Sequence, residues 1–266
     1  MKTKVSILMT CFNAEAFIEK SIKSIKNQSF KNWELIIVDD FSKDQTLKIA
    51  KKLKTNKIKI YSLKKHIGRT KALNYGLKKI KNDLVAILDA DDIAYKNRIM
   101  VQKNFLEKNQ KTLLVGSWYK VIDKSGKIIK NVKIDTIEKN IYKNMIYRNL
   151  FCHSSIMFKK SLLTKIGYYP ENIIYAQDYA FILKSMKLEI PRVIPKYLTL
   201  SRRWDNSMTY NPSYQKDIVL DKIKIMIFSI KNFSYPLLSL FMWSLKFIKA
   251  FCDIILLNLK KSKNNN

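Results

Sequence analysis

Three polar clusters interrupt an otherwise apolar and basic chain: Thr10-Cys11-Phe12-Asn13, Asp39-Asp40 and Asp89-Ala90-Asp91-Asp92. Each closes a short run, Val5–Met9, Glu34–Val38 or Leu84–Leu88, that reads as a strand. A lone acid at a strand end is ordinarily a turn former or helix cap. Two acidic strand ends are harder to dismiss in a chain with only 21 Asp+Glu against 51 Lys+Arg. Packing such carboxylates together costs repulsion unless a cation or donor groups offset it. Residues i and i+2 of an extended chain point to one side, so Asp89 and Asp91 can face one ligand while Asp92 leaves in the turn. Hard oxygen donors too few for an all-protein cage suit Mg²⁺ or Mn²⁺ shared with substrate phosphates, which suggests a nucleotide diphosphate. The chain has no Gly-x-Gly-x-x-Gly after its first strand and no Gly-x-x-x-x-Gly-Lys-Ser/Thr. Dinucleotide-dependent dehydrogenases and P-loop NTPases are thereby excluded.

The elements that must position these groups follow from periodicity. Helical patterns over Ala14–Lys26, Asp44–Leu53 and Thr70–Ile80 alternate with the strands, and Ile58–Leu63 is a further strand. Asn13 stands where a helix N-cap would stand. Continuous apolar strands separated by helices predict a parallel sheet covered on both faces, a Rossmann-like α/β half over residues 1–110. Ligands of such sheets bind beyond the carboxyl ends of the strands. In residues 111–210 a hairpin is predicted from Leu113–Ile122 and Lys127–Val132 around Asp123–Gly126, then a helix over Ile134–Tyr147. A short strand at Ser155–Phe158, a turn or helix at Lys160–Ile166, a helix over Tyr175–Met186 and an extended Arg192–Ser201 complete that half. Residues 211–266 read as two basic, apolar helices separated near Pro236.

Composition narrows the class further. With 266 residues, 47% hydrophobic, the chain can bury a full core, so intrinsic disorder is excluded. Cys11, Cys152 and Cys252, with only His66 and His153, make neither a disulfide framework nor a zinc cluster, and a reducing compartment is expected. A formal charge of +30 favours anionic partners, although lysine is spread over every segment. Nucleic acid is not expected, because no aromatic–basic interleaving stands out on a strand pair.

In order, Val5-Ser6-Ile7-Leu8-Met9-Thr10-Cys11-Phe12-Asn13, Glu34-Leu35-Ile36-Ile37-Val38-Asp39-Asp40 and Leu88-Asp89-Ala90-Asp91-Asp92 resemble family 2 glycosyltransferases of the GT-A fold. The likeness continues through Gly68-Arg69-Thr70-Lys71-Ala72-Leu73-Asn74, Cys152-His153-Ser154-Ser155 and Ala176-Gln177-Asp178-Tyr179, covering about residues 4–205. It implies a nucleotide-binding sheet, an acceptor-binding half and a divalent cation, Mn²⁺ or Mg²⁺. Thr10, Phe12, Asn13, Asp40, Arg69 and Asp89 match positions that hold the nucleotide-sugar. Asp89 and Asp91 match the DxD motif, with Asp91 and Asp92 the candidates for the metal. Asp178 matches the catalytic base, and Gln177 replaces the acid that usually precedes it. His153, Gln177, Arg202 and Arg203 are candidate contacts to acceptor or diphosphate. Leu200 stands where the Gln-x-x-Arg-Trp motif of processive synthases has glutamine, so one sugar per encounter is expected.

The resemblance implies an inverting transferase that moves a sugar, expected from a UDP-sugar, to a hydroxyl of a saccharide or glycolipid in cell-surface polysaccharide synthesis. Two rivals are a polyprenyl-phosphate glycosyltransferase and a catalytically degenerate binding module. No signal peptide opens the chain, and the uncharged run Asn232–Leu245 is shorter than the ~20 residues that cross a bilayer. Lys246, Lys249, Asp253 and Lys260 fall on one narrow stripe, the pattern of a helix lying on an anionic membrane surface or buried against its own catalytic domain or a second copy. A cytoplasmic, peripheral location on the inner membrane face is the expectation.

Overall fold

The computed structural model describes residues 3–204, 214–233 and 248. Four strands form the parallel part of the sheet: β1 (Val5–Cys11), β2 (Trp33–Asp39), β3 (Ile58–Ser62) and β4 (Leu84–Ile87). They lie in the order β3-β2-β1-β4, so the sheet reverses direction of growth at β1. Every residue of β1, β2 and β4 is buried, as expected of strands covered on both faces. Leu8, Ile36 and Val38 pack on one side; Ile7, Met9, Leu35 and Ile37 pack on the other.

Three helices follow these strands: α1 (Ile18–Lys26), α2 (Thr46–Lys52) and α3 (Arg69–Lys79). At Gly76 of α3 a Cβ would lie 2.3 Å from a Leu8 methyl and 3.0 Å from one of Val38. Glycine therefore lets α3 sit against β1 and β2, which fixes the height at which its first residue, Arg69, meets the sheet. Asn13 is not the cap of α1. That helix begins at Ile18, and Asn13 takes φ +49° with its Oδ1 accepting the Lys43 amide at 2.8 Å. The side chain ties the loop after β1 to the loop after β2.

The second half extends the same sheet. A two-residue strand β5 (Ile93–Ala94) leads into α4 (Arg98–Lys108), then β6 (Leu114–Ile122) and β7 (Ile128–Val132) form the predicted hairpin. Next come α5 (Glu138–Met145), a 3₁₀ turn at His153–Ser155, β8 (Met157–Lys159), α6 (Ser161–Ile166), α7 (Gln177–Met186) and β9 (Arg192–Arg202). β8 inserts antiparallel between β4 and β6, and β9 runs parallel to β6, completing a mixed nine-stranded sheet.

Helix α4 is absent from the sequence reading for a physical reason. Its buried residues are Arg98, Ile99, Gln102 and Leu106, and two polar members break the apolar period. The predicted strand at Ser155–Phe158 also shifts: Ser155 belongs to the 3₁₀ turn. The first tail helix is α8 (Gln215–Asn232), whose Ile225 joins the apolar core, while the second, beyond Pro236, lies outside the described residues. Among the described residues no helix is long and apolar enough to cross a membrane.

Candidate active site

The carboxyl ends of β1, β2 and β4 lie side by side, and the three polar clusters meet there. Asp40 follows β2 and is 2% exposed. It accepts the amides of Ile67 at 2.8 Å and Gly68 at 2.9 Å, so it holds the loop that enters α3. Gly68 takes φ +87°, a backbone that favours glycine. His66 Nδ1 reaches the same carboxylate at 2.9 Å, and its ring lies 4.2 Å from that of Phe12, which is 45% exposed. Two half-open rings at the mouth of β1 and β2 make an apolar face of the kind a planar base can cover. His66 escaped the sequence reading because its partner, Asp40, is 26 residues away in sequence.

Asp89 lies just beyond β4. Its carboxylate takes Arg69 Nη2 at 2.6 Å on both oxygens and lies 3.3 Å from His153 Nδ1. His153 Nδ1 is 3.0 Å from the same Arg69 nitrogen, and its Nε2 is 2.8 Å from the Tyr169 hydroxyl. Burial alone would raise the Asp89 carboxyl, but Arg69 and then His153 hold it well below the usual carboxylate range. Burial likewise opposes the Arg69 charge, yet Asp89, Asp178 and Asp91 together raise it above its ordinary value. Arg69 thus pairs directly with Asp89, and the negative field of Asp178 and Asp91 favours its charge.

The remaining acids of the cluster have different surroundings. Asp91 is pushed up by burial and by the neighbouring Asp89 charge, and its Oδ2 accepts the Trp204 indole N–H at 3.3 Å. Asp92 turns inward: it is 3% exposed, and its Oδ1 accepts the Arg202 amide at 2.7 Å. Burial, then Asp91 and Asp89, push its carboxyl well up. Arg202 folds back over the turn, donating from Nε to the Asp91 carbonyl and from Nη1 to the carbonyls of Asp123 and Lys124. Its guanidinium also covers the Phe17 ring at 4.8 Å. Arg202 therefore clamps the acidic turn from behind, and the Arg203 amide continues the sheet contact to Ile122 at 2.8 Å.

The backbone of the turn is held by buried polar side chains that sequence reasoning missed. Ser21 Oγ lies 2.7 Å from the carbonyls of both Ala90 and Asp92. Ser154 Oγ accepts the Asp89 amide at 2.9 Å. Arg98 donates from Nη2 to the carbonyls of Ile87 and Ile156, and burial lowers its guanidinium to about 10. Serines at helical spacing in α1 are the only sequence trace of this scaffold.

Gln177 and Asp178 open α7 opposite α3. Gln177 is fully buried, and in the amide orientation that its neighbours' donors and acceptors require, its nitrogen donates to the Ile174 carbonyl at 2.7 Å and its oxygen accepts from Arg69 Nη1 at 3.1 Å. Asp178 Oδ2 accepts from Asn149 Nδ2 at 2.9 Å. Thr10 is nearly buried at the end of β1. Among the described residues, no three His, Cys, Asp or Glu side chains are grouped as a metal cage. The acidic turn instead offers Asp91, whose charge is opposed by burial and by Asp89 and whose Oδ2 meets the Trp204 indole at 3.3 Å, a carboxylate that fits a cation completed by substrate oxygens.

The sheet thus has a β3-β2-β1-β4 switch point, acids at its carboxyl edge and a second half of mixed strand direction. The family model for glycosyl transferase family 2 matches residues 6–167, and the chain belongs to that family. It is 31% identical over 208 residues to the O-antigen biosynthesis glycosyltransferase WbnJ of Escherichia coli, covering 76% of this chain and 75% of that one. The fold is similar to that of S. aureus TarS 1–349 in complex with UDP-GlcNAc, with TM-score 0.67, 20% identity, and 88% and 68% of the two chains covered. It is also similar to the mannosyltransferase PcManGT of Pyrobaculum calidifontis in complex with GDP-Man and Mn²⁺, with TM-score 0.64, 16% identity, and 96% and 68% covered. The protein is a glycosyltransferase of GT-A fold.

Proposed function

We propose that the enzyme is a metal-dependent, inverting, non-processive transferase that moves one sugar from a UDP-sugar to a hydroxyl of a saccharide or glycolipid in cell-surface polysaccharide synthesis. The observation that carries this reading is the meeting of Arg69, Asp89 and His153 at the sheet edge, with Gln177 reaching Arg69 and Asp178 following it at the start of α7. The E. coli relative's role in O-antigen synthesis and the UDP-GlcNAc held by TarS support donor and pathway class.

In this reading Phe12 and His66 cover the base, Thr10 and Asp40 line its edge, and Asn13 fixes the loop beside it. Asp89 and Arg69 face the ribose and diphosphate. Asp91 is the carboxylate aimed at the cation, while Asp92 holds the turn through the Arg202 amide. A bound Mn²⁺ or Mg²⁺ supplies Lewis-acid neutralisation of the leaving diphosphate. Asp178 takes the proton of the acceptor hydroxyl as that oxygen attacks the anomeric carbon, and the displacement inverts the centre. His153, whose Nδ1 either donates to the Asp89 carboxylate or accepts from Arg69, orients them, and Arg203 stands at the acceptor side of β9.

A thermal-shift series with UDP-, GDP- and dTDP-sugars plus Mn²⁺ tests the donor, since a ligand that binds only folded protein raises the melting temperature with its concentration. UDP-sugars are expected to shift wild type and to leave Asp91→Ala unshifted, with the unliganded variant as stable as wild type because a carboxylate repelled by Asp89 has gone. A variant that keeps a metal-dependent shift would remove Asp91 from the cation site.

The chain is further proposed to dock on the inner membrane face through residues 214–263. On α8, Leu220, Ile227 and Ile230 are exposed, and Lys216, Lys222, Lys224 and Lys231 share that helix. Each basic residue near an anionic surface contributes ~1 kcal/mol. Full-length protein should float with anionic vesicles and detach in high salt, whereas protein that never floats would refute docking and leave a second copy as the cover for this face.

A further inference from the structure

Helix α8 does more in this fold than lead into the tail. Asp221, on its inward face, is 2% exposed. Its Oδ2 accepts two consecutive amides, Ile174 and Tyr175, each at 2.7 Å. Lys224 Nζ lies 3.2 Å from its Oδ1 and donates to the Asn172 carbonyl at 2.7 Å. A buried carboxylate is tolerated where donors and a counter-charge surround it, and here every donor but Lys224 belongs to one short loop.

That loop is the approach to α7. From the other side, Thr70 of α3 donates to the Ile173 carbonyl at 3.0 Å, and the Gln177 amide meets the Ile174 carbonyl. The Ile174–Tyr175 segment is therefore gripped by its amides from α8 and by a carbonyl from α7. Gln177 in turn reaches Arg69, and Arg69 reaches Asp89. The Tyr175 ring adds a stack on Tyr214, the residue before α8, with centroids 5.1 Å apart.

We propose that Asp221 is a positioning residue that sets the start of α7, and hence the placement of Gln177 and Asp178, from outside the matched family region. The inference rests on Asp178 being the base. Misplacing a reacting group by about 1 Å can cost up to ~10²-fold in rate, so the contact is worth testing kinetically.

The test compares full-length Asp221→Ala and Asp221→Asn. Asparagine keeps a carbonyl oxygen that can accept both amides; alanine keeps none. Three quantities are read: hydrogen exchange at the Ile174 and Tyr175 amides, the affinity for UDP with Mn²⁺, and UDP release from the UDP-sugar chosen by thermal shift. The alanine variant is expected to expose both amides to faster exchange and to lose about 10–10²-fold in turnover. Its UDP affinity should stay close to wild type, and asparagine should recover most of both losses. Unchanged exchange, unchanged turnover, or a loss of UDP affinity equal to the loss of rate would overturn the proposal. If alanine prevents folding, Asp221→Ser, whose shorter hydroxyl cannot span both amides, takes its place: faster exchange with lowered turnover sustains the proposal, and faster exchange with full turnover defeats it. Full turnover of Asp178→Asn would instead remove the base, while the exchange result still reports whether Asp221 holds the loop.

Discussion

Asp178→Asn is expected to bind donor as wild type does and to lose transfer to a hydroxyl acceptor by about 10²–10⁴-fold, the usual contribution of general-base assistance. The substitution preserves shape, and an asparagine oxygen can still accept from Asn149 Nδ2, now 2.9 Å from Oδ2. What it removes is the site that takes the proton. The same variant separates the main rival, because a polyprenyl phosphate acceptor is already ionised and needs no base. Acceptor-dependent turnover with matched donor titrations checks the prediction. Near wild-type rates on a hydroxyl acceptor would move the base elsewhere, with His153 next to be replaced.

Arg69→Met should have the second-largest effect, on stability and donor binding together. Removing one partner of a buried pair strands the other charge, a loss of about 3–5 kcal/mol in fully buried cases. The Arg69 and Asp89 side chains are 24% and 22% exposed, so a smaller loss of about 1–3 kcal/mol is expected. The sign of its pH dependence follows from Asp89. Arg69 holds that carboxyl below its unfolded value, so the stabilisation is complete above pH ~4 and fades as pH falls through the folded value. Without Arg69, burial works against the Asp89 charge with His153 left to offset it. Melting curves of the two proteins should differ most near neutrality and converge in acid. A gap that widened below pH ~4 would contradict this account of the pair.

Much of the site was legible because its chemistry sits at strand ends. Asp40, Asp89 and Asp91 follow runs of β-branched and aliphatic residues whose period admits little else, and the parallel sheet brings those runs side by side. What escaped was the support. Arg98 and Gln102 lie on the buried face of α4, where polar residues erase the apolar stripe that marks a helix. His66, Tyr169 and Asp221 act on partners 26, 16 and 46 or more residues away, pairings that only the folded chain creates. Asp92 illustrates the opposite limit: its neighbour Asp91 meets the Trp204 indole, while Asp92 itself is spent on the Arg202 amide. Alternation along an extended chain gives the side on which each residue leaves, not the partner it finds there.

We propose metal-dependent sugar transfer from a nucleotide donor at the edge of β1, β2 and β4. Its most direct test is UDP release from UDP-sugars by purified full-length enzyme with a saccharide acceptor panel, measured with Mn²⁺, with Mg²⁺ and after chelation. The account predicts release that depends on acceptor, vanishes on chelation, returns with added metal, and is lost in Asp91→Ala. Acceptor-dependent release at an undiminished rate in chelator, or in Asp91→Ala, would contradict it.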